Sequence, residues 1–132
     1  MKILNERPPH DILGKCEAHF NLSAAKPIFT YGDTIYNPFN GTIDSLLIAH
    51  ETAHMVQQGD DPETWWVKYI TDRKFRFDQE LAAYRVQHQV AKQTTKDRNQ
   101  IALLVYNMAI DLSGGMYGNL CTQTEARKLI RG

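Results

Sequence analysis

The segment His50-Glu51-Thr52-Ala53-His54 constrains this chain more than any other, because it sets two imidazoles and a carboxylate inside an apolar run, residues 43–58. At ~100° per residue a helix brings His50 and His54 onto one face a turn apart, the spacing with which two imidazoles share a metal ion. Glu51 then stands about a quarter-turn aside, as a neighbour of the metal and not a ligand. Ile43, Leu46, Leu47 and Gln57 fall in the arc of the histidines, while Ile48, Ala49, Met55 and Val56 make the other side apolar, so burial on two sides is expected. Buried histidines need polar partners. Thr42 is the expected N-cap, with Asp44 in the first turn and Gly59 as the stop.

Two histidines do not hold a catalytic zinc; a third protein ligand is required, with the fourth position left to water. A continuation of the form HExxHxxGxxH would put that ligand at Asp60, but Gln57 stands where the turn needs glycine. Asp72 and Asp78 lie in or beside a charged stretch, residues 71–78, that reads as a solvated linker. Glu80 is the favoured candidate. It opens a new helix signal, and Ala83 on the same face is small enough to let two helices approach closely.

A chain of 132 residues supports one core, and the reading is a single domain over residues 1–132. Lys plus Arg and Asp plus Glu both number 15, so no basic field points to a nucleic-acid partner. No apolar run approaches the ~20 residues that cross a bilayer, and the first residues lack a signal-peptide core, which leads to the expectation of a cytoplasmic protein without membrane association. Cys16 and Cys121 form no metal-finger spacing and are expected as free thiols.

Residues 1–14, with Pro8-Pro9, read as an extended lead-in. Cys16, Ala18, Phe20 and Leu22 alternate with polar residues, which predicts a strand over 15–22 with His19 on its solvated face, followed by a turn over 23–27. Strands are expected over 28–31 and 34–36, the latter closed by Pro38 and well placed as a sheet edge that binds substrate backbone. After a short helical stretch bearing Trp65 and Trp66, which are expected mainly to cover the core, helices are predicted over about 78–92 and 96–112. Thr122 and Glu125 then form a capping box for a last one. Glu80, Ala83, Tyr84, Gln87 and Ala91 share one face.

Taken in order, Gly32-Asp33-Thr34-Ile35-Tyr36, the segment from His50 to Gln58, an aromatic-rich stretch and Glu80-Leu81-Ala82-Ala83-Tyr84 resemble the small gluzincin-type zinc metallopeptidases. The likeness is greatest to compact HExxH proteins of bacteriophage and prophage origin and to minimal relatives of thermolysin-like peptidases. It covers roughly residues 28–90, and the tail beyond Gln93 matches nothing named. The resemblance implies an α+β, zincin-like fold, with a small N-terminal antiparallel sheet followed by a helical part built on the central helix. It implies Zn2+ on His50, His54 and Glu80, with Glu51 as general base in hydrolysis of a peptide or protein amide bond. Tyr84 and His88 are candidates for the oxyanion donor or for supporting the ligands. If phage-encoded, such a protein works in the host bacterial cytoplasm. The competing expectation is a catalytically silent, zinc-stabilised phage structural or host-interaction protein; substrate and oligomeric state are left open.

Overall fold

The computed structural model describes residues 1–20 and 27–132, and its elements run β1 (Lys2–Leu4), α1 (Ile12–His19), β2 (Phe29–Tyr31), β3 (Thr34–Tyr36), α2 (Ser45–Gln58), α3 (Pro62–Thr71), α4 (Arg73–Thr94), α5 (Arg98–Leu112), a 3-10 turn (Gly115–Tyr117) and α6 (Gln123–Arg131). The class is α+β and mostly helical. The sheet is mixed, not purely antiparallel: β3 lies in the middle, antiparallel to β2 and parallel to β1. The β2–β3 hairpin turns on two residues, Gly32 and Asp33, and Gly32 takes φ 62, the left-handed region that a first turn residue needs to match strand twist.

Three expectations about the first half are corrected. Residues 1–14 supply β1 and the start of α1, because the parallel pairing of Lys2–Leu4 to β3 satisfies a backbone that would otherwise stay extended and unpaired. The strand predicted over 15–22 is helix α1 as far as His19. Its buried residues are Ile12, Leu13 and Cys16, a helical i, i+1, i+4 set, while Ala18, counted in the alternation, is exposed. The end of that predicted strand and most of the predicted 23–27 turn fall outside the described residues. The third correction concerns β3, which is central and cannot be the substrate-binding edge; the edge beside α2 is β2.

The charged stretch 71–78 is not a linker. Asp72 caps α4 by accepting from the Phe75 backbone N–H at 3.0 Å, and Arg76, Phe77 and Glu80 form its buried face. Charge density in the sequence conceals the reason: the buried Arg76 guanidinium donates to the carbonyls of Tyr69 (2.7 Å) and Ile70 (3.1 Å) at the C-terminal end of α3, and its Nε donates to Met116 (2.8 Å). A cation at a helix C-terminus is favoured by the peptide dipoles, and the Phe20 ring lies 4.2 Å from it. Asp44 rather than Thr42 caps α2, accepting from Leu47 N–H at 2.8 Å. The Thr122–Glu125 capping box forms as read, Gly59 ends α2, and Cys16 and Cys121 are free thiols.

Apolar packing occurs in two clusters. One joins Ile12, Leu13, Cys16 and Phe29 to Trp65, Trp66, Tyr69 and Ile70 of α3. The other joins Phe77 and Tyr84 of α4 to Val105, Met108, Ala109 and Leu112 of α5 and to Ala126 and Ile130 of α6. The buried residues of α2 are His50, Glu51, His54 and Gln58, all polar. On its other side Val56 is 79% exposed, against expectation, while Ile48, Ala49 and Met55 are half-buried. The helix is thus fixed by buried hydrogen bonds as well as by half-buried apolar residues. No helix among the described residues is long and apolar enough to cross a membrane.

Ala83 is fully buried on the α4 face that carries Glu80 and Gln87 toward α2. Ala83→Leu is expected to lower the stability of the metal-free protein by about 1–3 kcal/mol through overpacking. Urea unfolding measures it; an unchanged midpoint would show that the two helices are not packed closely through this position.

Candidate metal centre

The polar face of α2 meets α4 at one carboxylate. His50 Nε2 lies 3.1 Å from Glu80 Oε2 and His54 Nε2 lies 2.6 Å from Glu80 Oε1, so each carboxylate oxygen faces one imidazole. All three residues are buried, and their donor atoms lie within 4.8 Å of one another. The expected third-ligand alternatives fall away: Asp60 is exposed, Asp72 is used as the α4 cap, and Asp78 is exposed and paired with Lys74 at 2.7 Å.

The far side of each ring determines what the near side offers. His54 Nδ1 lies 2.8 Å from Gln57 Oε1, and the Gln57 amide nitrogen donates to the Gln79 carbonyl at 2.9 Å. With its nitrogen committed, the amide presents oxygen to His54, so Nδ1 carries a proton and donates. His50 Nδ1 lies 3.0 Å from Gln87 Oε1. His54 Nε2 is thereby left as a lone pair aimed at an ionised carboxylate, an arrangement that is repulsive unless a cation lies between them. Two imidazole nitrogens and one carboxylate oxygen, each oriented from behind, form a donor set that suits zinc and also other divalent first-row ions. The residues fit a metal ion.

Without a metal the cation is a proton. Burial alone would push His54 down, but the charge of Glu80 and the hydrogen bond to it, followed by Glu51 and Gln57, outweigh burial and hold the ring up to about 9. Burial would likewise raise Glu80; the His54 and His50 charges and their hydrogen bonds overcome it and hold the carboxyl well below the usual carboxylate range. The Tyr69 hydroxyl donates to Glu80 Oε1 at 3.3 Å.

Glu51 is buried beside the centre and does not bridge it. Its Oε2 accepts from the Thr30 hydroxyl of β2 at 2.6 Å. Thr30 is tied down in turn, since its carbonyl accepts from Gln58 Nε2 (2.6 Å) and Trp66 Nε1 (2.9 Å), while Gln58 Oε1 accepts from the Gly32 N–H (2.9 Å). The Gln58 amide thus occupies the outward edge of β2 at Thr30 and Gly32 much as a neighbouring strand would. Trp65 and Trp66 belong to the core as expected and also face the cavity.

The centre opens into a cavity of about 710 Å³ whose lining includes His50, Glu51, His54, Glu80 and Tyr84, with α5 and the 3-10 turn forming part of its wall. Tyr84 is buried, its ring edge-on to His50 at 4.6 Å between centroids and its hydroxyl neighbouring that of Tyr117. His88 does not join the centre: it is buried against Ile130 at the end of α6, with Lys92 and Arg131 nearby. Sequence reading missed Thr30 and Tyr69. Gln57 carried a signal, one turn from His54 on the same face, and so did Gln87 beside Glu80; nothing local marked Thr30.

Purified protein is expected to hold one divalent ion per chain, and Glu80→Ala to lose it, as read by elemental analysis at neutral pH in reducing buffer; a wild type free of metal would remove the centre. The metal-free protein has its own pH signature. His54, raised from 6.5 to about 9, contributes stability that is complete below pH 6.5 and lost as pH rises through about 9. Glu80, lowered from 4.5, contributes stability present above that pH and lost on further acidification. Thermal melts of chelator-treated protein should therefore peak between about pH 4.5 and 6.5 and fall toward pH 9, and metal-loaded protein should not show that alkaline fall. Identical alkaline limbs would contradict the proton-for-metal exchange.

Comparison of the chain with protein-family models, with curated proteins and with solved structures finds no match.

Proposed function

We propose that this protein is a zinc-dependent peptidase of the gluzincin kind, hydrolysing an amide bond of a peptide or protein with water as the nucleophile and Glu51 as the general base. The observation that supports the reading is a second buried carboxylate in the same cavity as the three-donor centre. Glu51 is held by Thr30 through one oxygen, and among the described residues no cation pairs with it.

His50, His54 and Glu80 would hold a divalent ion, which would supply Lewis acidity toward a carbonyl oxygen and a water near neutral pH. The chain's residues do the rest. Glu51 uses Oε1, the oxygen Thr30 leaves free, to take a proton from the attacking water as the new C–O bond forms. As the C–N bond breaks, the same carboxyl passes that proton to the leaving nitrogen. Thr30 keeps the carboxylate from rotating away between the two transfers. Tyr84 is the assigned donor to the developing oxyanion. Burial, then the charges of Glu80 and Asp111, hold its hydroxyl well above its ordinary value, so it keeps its proton at working pH. Trp65, Trp66 and Tyr69 give the cavity an aromatic wall that excludes water from the reacting groups.

A second reading is a purely structural ion. It is favoured by the polar character of the buried α2 residues, because an ion on His50, His54 and Glu80 would cross-link α2 to α4 through those groups. Glu51→Gln separates the two. Under the peptidase reading the variant keeps one zinc per chain while cleavage of a broad peptide library falls by about 10²–10⁴. Undiminished cleavage would remove Glu51 from its role, and a zinc-loaded wild type that cleaves nothing would leave the structural reading.

A further inference from the structure

The C-terminal part of the chain, which the resemblance does not reach, supplies a wall of the cavity. Leu104, Asn107, Met108 and Asp111 of α5 follow i, i+3, i+4, i+7, and all four line it. Asn107 and Asp111 therefore carry polar ends one turn apart, between apolar neighbours. The Asp111 carboxylate has neither an ion pair nor a hydrogen bond among the described residues. The residue is exposed where it borders the cavity, and partial desolvation on that side, reinforced by the charge of Glu80 and offset by His50, pushes its pKa above the ordinary value.

The charges around it are one-sided. The described residues lining the cavity include Glu51, Glu80 and Asp111 and no lysine or arginine. Glu80 is engaged by the two imidazoles and Glu51 is held by Thr30 through one oxygen beside the metal centre, which leaves Asp111, on the α5 wall, as the carboxylate with neither oxygen engaged. A carboxylate accepts hydrogen bonds and donates none, so its complement is a cation. The apolar side chains of Leu104 and Met108 beside it suit the methylene stem of a lysine or arginine.

We propose that Asp111, with Asn107 beside it, receives a cationic group of the substrate, an ammonium or guanidinium, so that the cavity takes basic peptides. This rests on the peptidase reading and names its substrate class. Asp111 acts here as a specificity-determining residue and has no part in the proton transfers.

The test reads binding separately from turnover. Zinc-loaded Glu51→Gln protein is titrated with acetylated, amidated octapeptides of Ala and Gly in which a single Lys is walked along the chain, and with the same series bearing norleucine or Glu. The Lys series is expected to bind about two- to fivefold more tightly than norleucine at its best position, with Glu weakest. Adding Asp111→Asn should abolish the difference between Lys and norleucine, and Asp111→Lys should reverse the order in favour of Glu. Unblocked poly-Ala peptides form a second arm: tight binding there, without a Lys preference in the blocked series, identifies the cation as a terminal amine. Zinc content and melting temperature of each variant establish that it is folded. Equal affinity for cationic and neutral peptides in both arms, or a preference that survives Asp111→Asn, overturns the proposal. Cleavage by the wild type is scored on the same peptides. Turnover without charge preference sinks the Asp111 assignment and spares the peptidase; an Asp111-dependent preference in binding without any turnover does the reverse.

Discussion

One ionised carboxylate between two imidazole rings governs how this molecule is put together. Glu80 is buried, and a buried carboxylate is tolerable only when its charge is met. His50 and His54 meet it, from a helix whose fully buried residues are all polar. Whether the shared cation is a proton or a metal ion, the same three side chains draw α2 against α4. The packing that brings the helices together and the chemistry their junction can perform thus have one origin.

Support for that junction comes in layers. Gln57 and Gln87 hold the backs of the two rings, Tyr69 donates to the carboxylate, and Gln57 is itself held by the Gln79 carbonyl. On the other flank, Gln58 and Trp66 lock the Thr30 carbonyl while its hydroxyl holds Glu51. Most of these links cross from one element to another, so the short β2 strand, with little sheet of its own, is positioned by side chains of α2 and α3. A site arranged in this way has few soft rotamers around the two imidazoles and the two carboxylates.

The same geometry explains why the cavity has two unlike walls. Toward α2 and α4 it is polar and densely bonded. Toward α5 it carries Leu104 and Met108 with an unpaired acid, Asp111. Bonds that hold the chain itself together are concentrated on the first wall, and the groups left over to meet something else lie on the second.

The spacing of His50, Glu51 and His54 was legible because helical periodicity acts over four residues and needs no knowledge of the rest of the chain. The α2 stop at Gly59, the α6 capping box and the Glu80–Tyr84 face were legible for the same reason. Glu80 could be favoured over Asp60, Asp72 and Asp78 from its neighbours in sequence, and the structure puts it among the histidines. Residues 15–20 and 71–78 misled because alternation and charge density are averages over a few residues, whereas Cys16 and Arg76 take their places from contacts with α3. The order of the strands, the hold of Thr30 on Glu51 and the exposure of Asp111 to the cavity were decided only in three dimensions. Each depends on which distant segment arrives alongside, and a linear pattern carries local geometry but not the identity of the neighbour.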